Sequence, residues 1–320
     1  MKKIFSLLTA AAVSAALALS ASAADFGRVT VMGDSIATGY GLDGYTAGDN
    51  YSAPVSFSSL IKNNDSESVV NLAVDGRTSA ALLEAVRGEW AGSDDLLNCD
   101  SVIISIGGND FLMPMVTAIQ EALVQDSELI SQILSEDGDF SEFEPSLLFE
   151  RYSEAVIEAA QNVDIAQTKA NLEAIVAEIK AANPDCKIYV LTVYDPFEGN
   201  EEMEEIYLLA EDKLSGLNGA VWSLEGVTVV DVYSAFKGHA AEYTNITEAD
   251  IHPNSAGHGV IYSLLCAAEE NGGEVPTMAP VNGDAPPKGS PDTGAAGIAA
   301  AAGAAMLAGA GAVLSRRKRS

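Results

Sequence analysis

The chain has 320 residues, 48% of them hydrophobic, enough apolar length to bury a substantial core. Its 46 acidic residues against 17 basic ones give a formal charge of −29, which repels nucleic acid and anionic lipid headgroups, so no nucleic-acid partner is expected. Three histidines form no His-x-x-x-His pair, so a zinc site has little support and no metal is expected; no cofactor is expected either.

Taken in order, the chain opens with Lys2 and Lys3, an apolar run from Ile4 to Leu19 and the small-residue pattern Ala21-Ser22-Ala23. This reads as a secretory signal peptide over residues 1–23, with the mature chain starting near Ala24. Val29-Thr30-Val31-Met32 then runs into Gly33-Asp34-Ser35, a first strand with a serine at its carboxyl end. Taken alone, Ser35 reads equally as the cap of a following helix. Thr38 to Asn50 is a glycine-rich loop, and a helix is expected from Tyr51 to Ile61, broken early at Pro54. Ser68 to Val74 is the second strand and ends at Asp75-Gly76-Arg77-Thr78. The next helix is capped by Thr78 or Ser79 and continues through Leu82, Leu83 and Val86. Ser101 to Ile106 is the third strand and ends at Gly107-Gly108-Asn109-Asp110.

From about Pro114 to Ala182 the apolar spacing is helical, interrupted by Gly138 to Pro145. This excursion reads either as extra helices packed on the sheet or as a lid over the site. Lys187 to Val193 is the fourth strand, a helix follows from about Glu201 toward Leu224, and Val227 to Val232 is the fifth strand. The loop Asp250 to Asn254 precedes a last helix, Ser255 to Glu270. Strand and helix alternate five times, which predicts a three-layer α/β/α domain over 24–270 built on a five-stranded parallel sheet. Parallel strands bring their carboxyl ends to one edge, so Ser35, Gly76, Asn109 and His252 should line one crevice.

Asn271 to Asp292 holds five prolines and four glycines and reads as an extended linker. Ser290-Pro291-Asp292-Thr293-Gly294 follows, then a run without charge from Ala295 to Leu314 and the basic tail Arg316-Arg317-Lys318-Arg319. The order Pro-x-Thr-Gly, apolar span, basic tail resembles the sorting signal of Gram-positive surface proteins. That resemblance implies a sortase-like transpeptidase as partner, cleaving after Thr293 and joining the chain to the cell wall. A single-pass membrane anchor through 295–314 is the alternative. Six of the 17 basic residues lie in the leader and tail and none of the 46 acidic ones do, so the stretch between carries −35. The odd number of cysteines, Cys99, Cys186 and Cys266, allows one bridge at most, and each sits beside an apolar segment, so buried free thiols are the reading preferred.

Four polar motifs, each following an apolar segment, carry a second resemblance. Gly33-Asp34-Ser35, Gly76, Gly107-Gly108-Asn109-Asp110 and Asp250-Ile251-His252-Pro253-Asn254 stand in the order found in the GDSL or SGNH hydrolases, a family of esterases and lipases. The resemblance spans Arg28 to about Glu270. It implies a flavodoxin-like three-layer fold and a carboxylic ester hydrolase with Ser35 as nucleophile and His252 as its base. It further implies an oxyanion hole from the backbone N–H groups of Ser35 and Gly76 and the side chain of Asn109. The chemistry agrees: a serine hydroxyl is a poor nucleophile until a base takes its proton, and the oxyanion that forms needs donors aimed at it. As bare residues, Gly76 also reads as a turn glycine and Asn109 as a helix cap. Ser35 is not in a Gly-x-Ser-x-Gly elbow, which disfavours the α/β-hydrolase fold, and the turn at Gly33 carries no dinucleotide fingerprint or P-loop lysine.

One position departs from the family pattern. The usual spacing is Asp-x-x-His, and here Ala249 occupies the acid position. Asp250 stands two residues before His252, and in an extended stretch such residues face the same side, so Asp250 can still reach the imidazole. A Ser-His dyad or help from Glu248 are the alternatives. His258 reads as packing or surface, and His239 belongs to no motif. The function expected is an extracellular serine esterase acting on acylated carbohydrate or on lipid and lysophospholipid esters. The alternative is a wall-anchored binding or adhesion module that keeps the fold without turnover.

Overall fold

The strands are parallel and apolar on both faces, and the rest of the chain follows from covering them. In chain order the elements are β1 (Arg28–Gly33), α1 (Ser35–Thr38), α2 (Phe57–Asn64), β2 (Ser68–Asn71), α3 (Ser79–Arg87), α4 (Asp94–Leu97), β3 (Ser101–Ser105), α5 (Gly108–Gln125), α6 (Ser153–Gln161), α7 (Ile165–Ala182), β4 (Lys187–Leu191), α8 (Glu204–Trp222), β5 (Thr228–Val230), α9 (Val232–Phe236), α10 (Ala240–Tyr243) and α11 (Ser255–Glu270). The computed structural model describes residues 24–64, 66, 68–126, 151–198, 204–248 and 250–271. The leader expected at 1–23, the interruption at 138–145, all but the first residue of the linker, and the sorting signal with its apolar span at 295–314 lie outside the described residues. Among the described residues no helix is long and apolar enough to cross a membrane.

The sheet runs β2-β1-β3-β4-β5, all neighbours parallel. Successive side chains of a strand point to opposite faces, and a parallel sheet is covered on both. Met32, Val102, Ile104, Ile188 and Val190 therefore meet Leu82, Phe111, Val156, Leu172 and Leu214 on one face. Val29, Val31, Ile103, Tyr189 and Leu191 meet Phe57, Ile61, Phe236, Ile261 and Leu265 on the other. The result is the three-layer α/β/α arrangement. Strand order reverses at β1, which has β2 on one side and β3 on the other; crevices for ligands open at such points, beyond the carboxyl ends of the strands.

Several boundaries differ from expectation. Helix α5 starts at Gly108, and Pro114 lies inside it, so Asn109 and Asp110 fall in its first turn. Proline removes one helical N–H but is tolerated where packing holds the helix, and here Phe111, Met115 and Ile119 are buried. Helix α2 begins at Phe57, three residues after Pro54. Strand β2 ends at Asn71, whose Oδ1 accepts the Ala73 N–H (3.1 Å), while the Leu72 N–H still donates to the Val31 carbonyl of β1 (2.8 Å). The described helices of the 114–182 excursion bury Val156, Ala160, Ile175 and Ile179 in the core as scaffold. Residues 127–150 lie outside the described residues. All three cysteines are buried free thiols.

Candidate active site

Gly33 ends β1 opposite Ser105, the last residue of β3. A Cβ there would stand 2.1 Å from the Ser105 carbonyl oxygen, so no larger residue fits. The Asp34 N–H donates to that same oxygen (3.1 Å), and the Asp34 carboxylate caps α1 by accepting the Ile36 N–H (3.1 Å). Burial pushes the Asp34 carboxyl up to about 7, against the pull of that N–H and of His252. Ser35 is thereby held as the first residue of a one-turn helix at the mouth of the crevice. Among the described residues its backbone N–H has no acceptor.

The histidine comes from the loop before α11. Asn254 caps that helix, accepting the Ala256 (2.9 Å) and Gly257 (3.1 Å) N–H groups and donating to the Glu242 and Thr244 carbonyls. The Asn245 N–H donates to the His252 carbonyl (2.9 Å), the Asp250 N–H to the Asn245 carbonyl (3.1 Å), and the buried Tyr194 hydroxyl to the Ile251 carbonyl (2.7 Å). The loop is thus closed on itself through Asn245 and tied to the end of β4 through Tyr194.

On that support His252 Nε2 lies 2.8 Å from Ser35 Oγ, and His252 Nδ1 lies 2.5 Å from Asp250 Oδ1. Asp250 Oδ1 also accepts the His252 backbone N–H (3.0 Å), and Asn245 Nδ2 reaches Oδ2 (3.5 Å). A carboxylate only accepts, so the tautomer these partners require has the proton on Nδ1 and a free lone pair on Nε2, facing the serine. Burial alone would raise the Asp250 carboxyl, but the hydrogen bonds and charge of His252, with Asn245, outweigh it and hold it below the usual carboxylate range. The side chain of Glu248, the other acid considered, lies outside the described residues, as does Ala249.

The second half of the site follows β2 and β3. The Val74 N–H donates to the Gly33 carbonyl (3.1 Å), tying the end of β2 to the turn that carries Ser35. Gly76 has φ +74°, a left-handed conformation that favours glycine, and nothing lies within 4 Å of where its Cβ would be. Among the described residues its N–H has no acceptor. Asn109 Nδ2 donates to the Arg77 carbonyl (3.1 Å), which leaves its second hydrogen unused and places the amide beside Gly76. Asp110 holds the next residues, accepting the Ser79 N–H (2.8 Å) and the Ser79 hydroxyl (2.5 Å).

The structure therefore joins Ser35, His252 and Asp250 directly, and brings Asn109 to the segment that carries Gly76. Sequence reading missed Tyr40, whose half-exposed ring sits on His252 with centroids 4.5 Å apart, and Asn245 and Tyr194, which brace the histidine loop. Each has a partner in a distant segment of the chain, so its own neighbourhood carries no signal of this role. His239 is exposed and pairs with Glu242, and His258 is buried under α2. Gly39-Tyr40-Gly41-Leu42-Asp43-Gly44 has the spacing of a dinucleotide turn, but it leads into a loop and opens no helix that could receive a phosphate. Among the described residues no group of three or more His, Cys, Asp or Glu side chains is placed to hold a metal.

Fold and site together are those of an acyl-ester hydrolase. The chain belongs to the GDSL-like lipase/acylhydrolase family, whose family model matches residues 31–260. Its fold is similar to that of an extracellular lipase from Streptomyces rimosus, at 19% identity and TM-score 0.53 over 76% of this chain and 99% of that one. It is also similar to a lipase from a goat rumen metagenome (19% identity, TM-score 0.50, 79% and 99% covered). A third similar structure is a phospholipase A1 from Streptomyces albidoflavus (17% identity, TM-score 0.50, 75% and 98% covered). At these identities the likeness is one of fold. None of the curated proteins compared with the chain matches it.

Proposed function

We propose that the chain is an exported, surface-anchored serine esterase in which Ser35, His252 and Asp250 act in sequence. The observation that carries the reading is the unbroken line from Asp250 Oδ1 through both ring nitrogens of His252 to Ser35 Oγ. His252 Nε2 takes the hydroxyl proton as Oγ attacks the ester carbonyl carbon. Asp250 holds the ring in the required tautomer and stabilises its charged form. The carbonyl oxygen becomes an oxyanion, stabilised by the free N–H groups of Ser35 and Gly76 and the spare hydrogen of Asn109. The proton on Nε2 then passes to the leaving alkoxide, and an acyl-serine remains. Water, deprotonated by the same nitrogen, attacks that acyl group; the acid is released and Ser35 regains its proton.

The substrate is an acyl ester of a carbohydrate or of a lipid alcohol. Export and anchoring rest on the leader at 1–23 and on the Pro-Asp-Thr-Gly, apolar span and basic tail at 291–319, with a sortase-like transpeptidase acting at Thr293. Nitrophenyl esters of increasing acyl length separate the two substrates: activity confined to acetyl supports carbohydrate deacylation, and activity that rises with chain length supports a lipase. A fluorophosphonate probe should add its mass to the peptide containing Ser35, and a label on any other residue would contradict the assigned nucleophile. Thr293→Ala should release the protein from the wall fraction; an unchanged wall fraction would contradict the anchor.

A further inference from the structure

The loop between Ser35 and α2 touches both halves of the site. On one side, Tyr40 lies against His252 (4.5 Å between centroids) and the Gly41 carbonyl accepts from Asn245 Nδ2 (3.1 Å). Gly41 packs so closely on the acid that a Cβ there would stand 2.5 Å from Asp250 Oδ2. On the other side, Thr38 Oγ1 donates to Asp75 Oδ1 (2.6 Å) and the Tyr45 hydroxyl donates to Asp75 Oδ2. The Tyr40 and Tyr45 rings meet at 5.1 Å and join the two sides. Asp75 is an exposed carboxylate, yet both of its oxygens are engaged by this one segment. It is also the residue whose carbonyl forms the peptide bond that presents the Gly76 N–H.

We propose that Asp75 is a positioning residue: clasped by Thr38 and Tyr45, it sets the Asp75–Gly76 peptide plane and couples the oxyanion hole to the loop that backs the Asp250–His252 pair. Gly76 lies in a turn closed by the Arg77 N–H on the Val74 carbonyl (3.2 Å), and with a left-handed φ and no atom within 4 Å of where its Cβ would be, it has no side chain of its own to fix the tilt of the Asp75–Gly76 peptide. Downstream the segment is pinned by Asn109 on the Arg77 carbonyl and by Arg77 Nη1 on the Leu72 carbonyl (2.9 Å). Upstream of Gly76 the side-chain anchor is Asp75. Thr38 is buried and ends the helix that begins at Ser35, so the clasp references the oxyanion donor to the nucleophile's own helix. Burial, with the Asp75 bond behind it, pushes the Tyr45 phenol up, which favours its role as a donor.

The proposal rests on the serine-esterase reading, and the test separates the two. In the full chain, nitrophenyl acetate turnover is measured for wild type, Ser35→Ala, Tyr45→Phe, Thr38→Val, Asp75→Asn and Tyr45→Phe/Asp75→Asn, each with its thermal midpoint. A displaced oxyanion donor acts only in the transition state, so Tyr45→Phe and Asp75→Asn should lower kcat about 10-fold or more with KM within about twofold. The double variant should lose no more than Asp75→Asn alone, because Tyr45 acts through Asp75. The pH at which activity is half-maximal should stay where wild type has it, since the base is untouched. Ser35-dependent activity in wild type with kcat unchanged in a folded Tyr45→Phe overturns the positioning role alone. A rise in KM at constant kcat, or additive losses in the double variant, also overturns it. Wild type without Ser35-dependent turnover overturns the esterase reading and this proposal with it. Tyr45→Phe removes one oxygen from a partly exposed ring, so it supplies the answer if Asp75→Asn fails to fold.

Discussion

Asp250 and His252, two residues apart on one loop, meet through Oδ1 and Nδ1 at 2.5 Å, so the acid reaches the imidazole from a position one residue later than the usual spacing of the family. The tight turn between them, closed by the His252 N–H on Asp250 Oδ1 (3.0 Å), makes this geometry available, and Asn245 steadies the far oxygen. The expectation is that Asp250→Asn leaves the fold intact but offers Nδ1 a neutral group free to donate and favour the wrong tautomer. The kcat for a nitrophenyl ester should fall on the order of 1000-fold or more. Activity within tenfold of wild type would remove Asp250 from the orienting role.

Asn109 differs from an ordinary cap in having one amide hydrogen on the Arg77 carbonyl and one left over. Asn109→Ala should reduce kcat about 100- to 1000-fold, with KM changed far less, as for loss of one oxyanion donor. Equal changes in kcat and KM would mark it as a binding or structural residue.

Gly33 is a steric requirement. Gly33→Ala places a methyl 2.1 Å from the Ser105 carbonyl oxygen, in the turn where β1 and β3 part. The turn must open, and the expected loss is on the order of 3 kcal/mol or more of unfolding free energy, measured by denaturant titration. A midpoint equal to that of wild type would show that the turn is wider than described.

His258 has a distinct effect on stability. Its Nδ1 accepts the Phe57 N–H (3.2 Å), its Nε2 has no partner, and burial pushes its pKa down to about 3. The unfolded chain takes up this proton near 6.5 and the folded chain only near 3. Between those values the unfolded state holds more protons, so stability rises with pH by about 1.4 kcal/mol per unit from this group. The contribution is complete above 6.5 and is lost as pH falls toward 3. His258→Gln can keep the acceptor for Phe57 without titrating. The difference in unfolding free energy between wild type and variant should therefore change steadily from pH 6.5 down to pH 4, and parallel curves would contradict the assignment.

The inner strands were legible because they are buried on both faces and read as apolar runs, Val102-Ile103-Ile104 being the clearest, whereas the edge strand β2 is buried mainly on the face of Val69 and Asn71. Their polar ends were legible for the same reason, since parallel strands deliver Ser35, Gly76 and Asn109 to one edge. The start of α5 was hidden: Gly107-Gly108 and Pro114 read locally as a loop, while tertiary packing of Phe111 and Met115 makes the segment helical. Tyr40, Asn245 and Tyr194 were not legible, because their partners are fixed by how the last loop folds over the first turn. Asn245 and Gly41 are 204 positions apart. His258 left two readings open, and only the packing of α11 against α2 chooses the core.

The role of Ser35 as nucleophile is tested most simply by nitrophenyl acetate turnover of the full chain, wild type beside Ser35→Ala. Wild type should turn over steadily, and a Ser35→Ala protein with an unchanged thermal midpoint should lose on the order of 1000-fold or more. Hydrolysis that survives in Ser35→Ala, or a folded wild type with no turnover of any ester, would contradict that role.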